Sequence, residues 1–527
     1  MTNSVKDAAI APSDDVSVPV RPKSRRDAVA VALLVLGALL PWNVHVGVGI
    51  AGTAGWVLAV LVVVTLLALA AVAVTYAGPD SVRETGRETE ELKRRRLLLT
   101  VPMLAMVVGF VGFTVVQSIR YGGTGTVPPG IGPGAWLGAA GAILAAQPVA
   151  VTDHQQPWDK ARRIIGTVAL VLAVSAALFN VYWRTRFVAP NIADADTGTQ
   201  NLVVFIGAVL YAVVALAPVV VTVRWMWSSE VTARLAVMAL GGSVLLAGLF
   251  VWVTPVGRDI DAFHGIAQNT STAGVGFEGY LPWAVVAAMV ATVTIRDALA
   301  GDWGRSVVGA ARKCLLLIAV WCAGSAVLRI VDLMSASVLD LPAPPYNSTA
   351  LMAFDLLAAL LAMWLFLNSV NTVAPKLLVT ALFAVLVAVT LSRVILGIVL
   401  VPRVQPLNAD DINDVYGNTL SQQITSTFDV ALCILATVML VALLLRGAVS
   451  RQTNKPAAPK PAAPPTDVVE THANENRPAI RIERPKTTQQ DTDSLREHVA
   501  NVLAESTQRF GAGTTYTGPA NDATKDR

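Results

Sequence analysis

Charge is scarce in this chain. Only 14% of its 527 residues are Asp, Glu, Lys or Arg, against 54% hydrophobic. A soluble domain averages about 25% charged residues, so most of this chain is matched to a non-aqueous solvent. Cysteine is nearly missing as well. Cys314, Cys322 and Cys433 all fall inside apolar runs, which excludes a disulfide framework or a zinc spacing and reads as small core residues. There is no Walker A motif, so ATP is not held by a P-loop. The net charge is only +4, with basic residues scattered at the ends of apolar runs, and carries no nucleic-acid signal. No cofactor-binding pattern and no metal-ligand pattern is present, and no catalytic residue is assigned. Gly130, Gly132 and Gly134 superficially fit a dinucleotide loop, but they lead into the apolar stretch Ala135-Trp136-Leu137 and read as a turn with close helix packing.

What the chain has instead is long apolar runs. Twelve of them extend from 28–45 to 428–446, and mean hydropathy is +0.58. About 20 helical residues span a hydrocarbon core, and backbone in lipid must satisfy its own hydrogen bonds, so each run predicts a membrane helix. The first run follows Arg21, Lys23, Arg25 and Arg26 but ends at Leu40-Pro41-Trp42-Asn43 without a small-x-small cleavage site, so it is expected to stay attached. The predicted fold is all-α: a polytopic transmembrane bundle of about twelve helices arranged as hairpins. Residues 1–26 are expected to form a disordered cytoplasmic N-terminus and 27–446 the membrane domain.

Orientation follows from the basic residues. One alternate set of connections carries sixteen Lys or Arg and the other five, which places the first set and both termini in the cytoplasm. Trp42, Trp56, Trp183, Trp252 and Trp283 near outer ends, and Trp158, Trp225, Trp227 and Trp303 near inner ends, are expected to form aromatic belts.

After Leu445 the composition changes. A Pro/Ala-rich linker is expected over 447–490 and a cytoplasmic tail over 491–527. Ser494-Leu-Arg-Glu497 reads as a capping box, and Leu495, Val499, Val502, Leu503 and Phe510 follow at helical spacing. An amphipathic helix over 494–510 results, whose apolar face suits a cytoplasmic protein partner. Its polar face mixes Arg496, Glu497, Glu505 and Arg509, which favours a protein over the membrane surface.

Five charges fall inside the predicted membrane. Arg329 lies 14 residues beyond Leu315, about 21 Å along a helix, and Arg393 lies 16 beyond Leu377, about 24 Å. Asp332 shares a helix face with Arg329, and Asp355 and Asp429 enter from outside by a few residues. All five predict one polar layer in the outer third. Two readings stay open: an outward-facing pocket for an anionic headgroup, an anionic solute or a proton-linked step, and helix–helix salt bridging with partial snorkelling. The runs Phe354-Asp355-Leu-Leu-Ala-Ala and Phe428-Asp429-Val-Ala-Leu-Cys, each preceded by an arginine-bearing helix, look like a tandem hairpin repeat.

Acid–base work on the outer loops would need convergence of Asp259, Asp261, His264, Asp410 or Asp411. The first outer loop, Asn43 to Ala54, carries no acid, which departs from the pattern of polyprenyl-phosphate-sugar glycosyltransferases. The segments Leu40-Pro-Trp-Asn43, Gly132-Pro-Gly-Ala-Trp-Leu137 and Ser506-Thr-Gln-Arg-Phe-Gly-Ala-Gly-Thr-Thr-Tyr-Thr-Gly518 resemble multi-spanning membrane proteins of mycobacteria and related high-GC actinobacteria. That resemblance implies a polytopic helical fold and brings no activity with it. Three functional classes therefore remain: an accessory or scaffold protein with a docking helix, a transporter or flippase, and a membrane-embedded transferase acting outside.

Overall fold

The computed structural model describes residues 24–43, 46–50, 52–76, 90–121, 130–147, 156–253, 276–340, 346–369, 375–399 and 427–453. Among them are twelve α-helices and no strand. The helices are α1 (Ser24–Leu39), α2 (Gly55–Tyr76), α3 (Glu90–Tyr121), α4 (Pro133–Ala146), α5 (Gln156–Thr185) and α6 (Gly198–Trp227). They continue with α7 (Val231–Val253), α8 (Leu281–Ala300), α9 (Trp303–Val338), α10 (Tyr346–Asn368), α11 (Lys376–Val394) and α12 (Thr427–Thr453). One π turn, Gly276–Tyr280, leads into α8, and another, Ile395–Val399, follows α11.

Ten of the twelve are long and apolar enough to cross a membrane; α1, with 16 residues, and α4, with 14, are shorter. The expectation of about twelve membrane helices thus meets ten full-length spans and two short helices. α4 is about 21 Å long, less than the hydrocarbon thickness of roughly 30 Å. All 14 of its residues are buried, so it has no lipid boundary to match. Its small side chains allow that position. A Cβ on Gly37 of α1 would stand 2.5 Å from the backbone nitrogen of Gly138, and one on Gly134 would stand 2.3 Å from the Leu40 carbonyl oxygen. Only hydrogen fits at such approaches. The amides of Gly132 and Gly134 donate to the carbonyls of Trp42 (2.6 Å) and Pro41 (2.9 Å), tying the end of α1 to the start of α4. Gly130, just before, takes φ +62°, the left-handed region that favours glycine.

Each consecutive pair of helices packs together as a hairpin. Five of the six are latched at the open end, where the start of the first helix meets the end of the second. Tyr76 of α2 donates to Asp27 of α1 at 2.9 Å, and Asp27 also accepts from Arg26. Arg96 of α3 donates to the Ala145 carbonyl at the end of α4, at 2.7 and 3.0 Å. Arg162 of α5 donates to the Met226 and Ser228 carbonyls at the end of α6. Arg234 of α7 meets Asp297 of α8 at 3.0 Å, and Arg312 of α9 donates to the Phe366 carbonyl of α10 at 3.1 Å. Helix C-termini present unsatisfied carbonyls and partial negative charge, which is why arginine serves there. Beside these latches Lys313 reaches Glu230 at 3.3 Å, and its hydrogen bond holds the Glu230 carboxyl below the usual range.

Two expectations need correction. Trp42, Trp225 and Trp283 are buried rather than belt residues. Trp42 donates to the Gly37 carbonyl at 3.0 Å and packs edge-on against Phe110; Trp283 donates to Thr222 at 2.7 Å. Trp56 and Trp227 are exposed, as a belt requires. Helical structure also overruns both ends of the predicted membrane domain. α1 starts at Ser24, and α12 continues to Thr453, because nothing in Arg446 to Thr453 breaks a helix before Pro456. Cys314, Cys322 and Cys433 are free and buried.

Candidate functional site: a closed ring of buried charge

The last two hairpins bring four of the five predicted intramembrane charges together. Arg329 sits on α9, Asp355 on α10, Arg393 at the end of α11 and Asp429 at the start of α12, and each is at most 1% exposed. Arg329 Nε meets Asp355 Oδ2 at 3.2 Å. Arg393 Nε meets the other oxygen of Asp355, and Arg393 Nη1 meets Asp429. Two neutral side chains of α9 close the circle. Ser325 donates to Asp355 at 2.9 Å and accepts from Arg393 Nη2 at 3.1 Å, while Trp321 Nε1 donates to Asp429 at 2.7 Å. Each of the four helices is thereby bonded to at least two others, and α9 and α11 to all three. Two guanidinium groups and two carboxylates sum to zero charge, the composition that makes burial affordable in a low-dielectric interior.

The fifth residue, Asp332, faces elsewhere. It accepts from the Tyr211 hydroxyl of α6 at 2.6 Å, which joins α9 to a different hairpin. The predicted single layer is therefore one four-membered ring and one separate carboxylate. A shared face at spacing i, i+3 permits this, because Asp332 lies nearly one turn further along α9.

The two hairpins pair their charges in the same way, arginine on the first helix with aspartate on the second. Arg329 and Asp355 are 26 residues apart, Arg393 and Asp429 are 36 apart, and each pair joins the two helices of one hairpin. The Arg393–Asp355 contact then ties the hairpins to each other. Phe428, next to Asp429, is fully buried against Trp321 with a centroid distance of 4.8 Å and against Trp283 at 5.5 Å. Phe354, next to Asp355 in the other hairpin, is only partly buried. An aromatic cluster continues from there through Tyr280 to the buried Trp136 of α4, at 4.7 Å.

Sequence reasoning missed several buried polar groups, Glu278, Gln147 and Arg96 among them. Glu278 is fully buried in the π turn before α8. Gln147, just past α4, donates to the Ala288 and Met289 carbonyls at 2.7 and 3.0 Å and accepts from Thr292 at 3.0 Å. Arg96, in the run Lys93-Arg94-Arg95-Arg96, is fully buried beside exposed neighbours. Helical phase gives a signal for Arg96, since it points one way and Arg94 and Arg95 another. No comparable signal marks Glu278 or Gln147. The docking face Leu495, Val499, Val502, Leu503 and Phe510 lies outside the described residues, as do Asp259, Asp261, His264, Asp410 and Asp411.

Apolar helices of membrane-spanning length, glycine-mediated close packing and internally paired charge define a polytopic helical membrane protein. The chain belongs to the family described as a domain of unknown function (DUF7937), which matches residues 24–448, from the start of α1 into α12. No curated protein and no solved structure matches it.

Proposed function

We propose that this is a non-enzymatic accessory or scaffold protein of an actinobacterial plasma membrane, with both termini in the cytoplasm and a tail helix, 494–510, that docks a cytoplasmic partner. The observation that supports it most is the ring. Its charges are buried, balanced and bonded to one another, so they act as cement between helices and present no charged surface to a solute. The excess of basic residues at one set of connections supports the orientation, and several of them, Arg96, Arg162 and Arg312, serve as the hairpin latches. The spacing of Leu495, Val499, Val502, Leu503 and Phe510 supports the tail as the recruiting part, by laying an apolar helix face into a groove of its partner. Deleting residues 491–527 from the full chain tests this. Loss of a specific co-purifying cytoplasmic partner, with the membrane body still intact and inserted, is the expected result; unchanged co-purification sinks the reading.

A second reading, a transporter or flippase for an envelope lipid or anionic solute, is favoured by one feature. α11 turns into a π turn at Ile395, two residues after Arg393, and such turns often stand at functional sites. A π turn is a place where a helix can shift register, so movement there would open the ring.

A further inference from the structure

We infer that the outward face of α5 around Lys160 and Arg163 is a binding site for the phosphate headgroup of an anionic phospholipid. The helical phase of this segment divides its charges. Successive residues turn by about 100°, so Lys160, Arg163, Ile164, Thr167 and Val168 fall on one face and Arg162 on the opposite one. Arg162 is buried and latches α6. Asp159, at the boundary, gives its carboxylate to Arg162 at 3.1 Å. The acid that lies nearest in sequence is thus already engaged. Lys160 and Arg163 are exposed, and among the described residues neither forms an ion pair.

These two cations stand at the rim of a groove of about 500 Å³, lined by Asp159, Lys160, Arg163, Ile164, Thr167 and Val168. The polar end of the groove holds Lys160 and Arg163, with the Asp159 carboxylate, paired to Arg162, beside them, while the Thr167 hydroxyl donates to the Arg163 carbonyl at 2.9 Å. Its other end is apolar, with Ile164 52% and Val168 51% exposed. That order, cations first and branched aliphatics further into the span, matches a phospholipid read from headgroup to acyl chain. A free phosphate would make no use of Ile164 and Val168. Arginine supplies a fork for two phosphate oxygens, and lysine adds a mobile point charge. This inference is independent of the docking role proposed for the tail.

The test uses the full chain in bilayer discs containing equal phosphatidylglycerol and phosphatidylcholine, with lipids retained after release counted by native mass spectrometry. The wild-type protein should retain phosphatidylglycerol preferentially. K160Q/R163Q should reduce that retention about ten- to thirtyfold, since each interfacial cation contributes on the order of 1 kcal/mol. R94Q/R305Q, which removes two exposed arginines away from the groove, should leave it unchanged. I164S/V168S should weaken retention as well, and millimolar inorganic phosphate should not displace the lipid. Undiminished retention by K160Q/R163Q overturns the inference, and so does an equal loss in R94Q/R305Q, which would mean surface charge without a site. Displacement by inorganic phosphate, or full retention by I164S/V168S, would equally overturn it. All six positions are surface-exposed, so each variant is expected to elute and melt as the wild type does.

Discussion

At the scale of residues, the ring is governed by the cost of leaving a charge alone. A paired buried charge contributes little net stability, but an orphaned one is expensive: removing one partner costs about 3–5 kcal/mol, whereas replacing both by apolar groups is often neutral. Arg393 bridges Asp355 and Asp429, so Arg393→Leu leaves the ring with one carboxylate in excess. We expect it to lower stability by about 3 kcal/mol or more, measured as a fall in thermal midpoint of the detergent-solubilised protein. Arg393→Leu combined with Asp429→Leu restores balance, because Arg329 and Asp355 remain as a pair. It should recover most of the loss. A double variant as damaged as the single one would show that the bonds themselves, and not the balance of charge, hold the helices.

Elements add a second layer, in which five of the six hairpins are closed at the open end, four of them by an arginine from the first helix. Arg96 satisfies the carbonyl end of α4 and sits against its negative dipole. Arg96→Met should therefore cost about 2 kcal/mol and loosen the α3–α4 pair. Arg95→Met, one residue away on an exposed helix face with only a surface partner in Glu91, should cost less than about 0.5 kcal/mol. Equal effects in the two variants would contradict the latch. The helices that the latches join were legible in the sequence, but the latches were not. Apolar run length placed the helices, and alternation of basic connections paired them. The depth of Arg329, Asp355, Arg393 and Asp429 gathered the ring, because depth along a helix is a matter of counting residues. What counting does not supply is rotation about the helix axis. Asp332 was grouped with the ring on depth, yet its azimuth carries it to Tyr211. Trp42 and Trp283 were placed at an interface on depth, yet they face inward. α4 was read as an ordinary span because its Ala/Gly composition does not distinguish lipid from tight protein packing; only its neighbours show that every residue is covered.

For the whole molecule, the two kinds of polar contact sit at opposite ends of the hairpins. Latches join helix starts to helix ends at one end, and the ring binds α9 to α12 towards the other. Of the four C-terminal helices, α9 and α10 are consequently tied from both sides, by the Arg312 latch and by the ring, and α11 and α12 are joined to them through the ring. The central claim is that this ring is structural cement, and one variant tests it most directly: Arg329→Met, Asp355→Leu, Arg393→Met and Asp429→Leu made together. Purified protein should stay monodisperse with a thermal midpoint within a few degrees of the wild type, and in cells lacking the native copy it should restore whatever the wild-type chain restores. A folded, inserted quadruple variant that fails to replace the wild type would contradict the account and assign the ring a direct part in function.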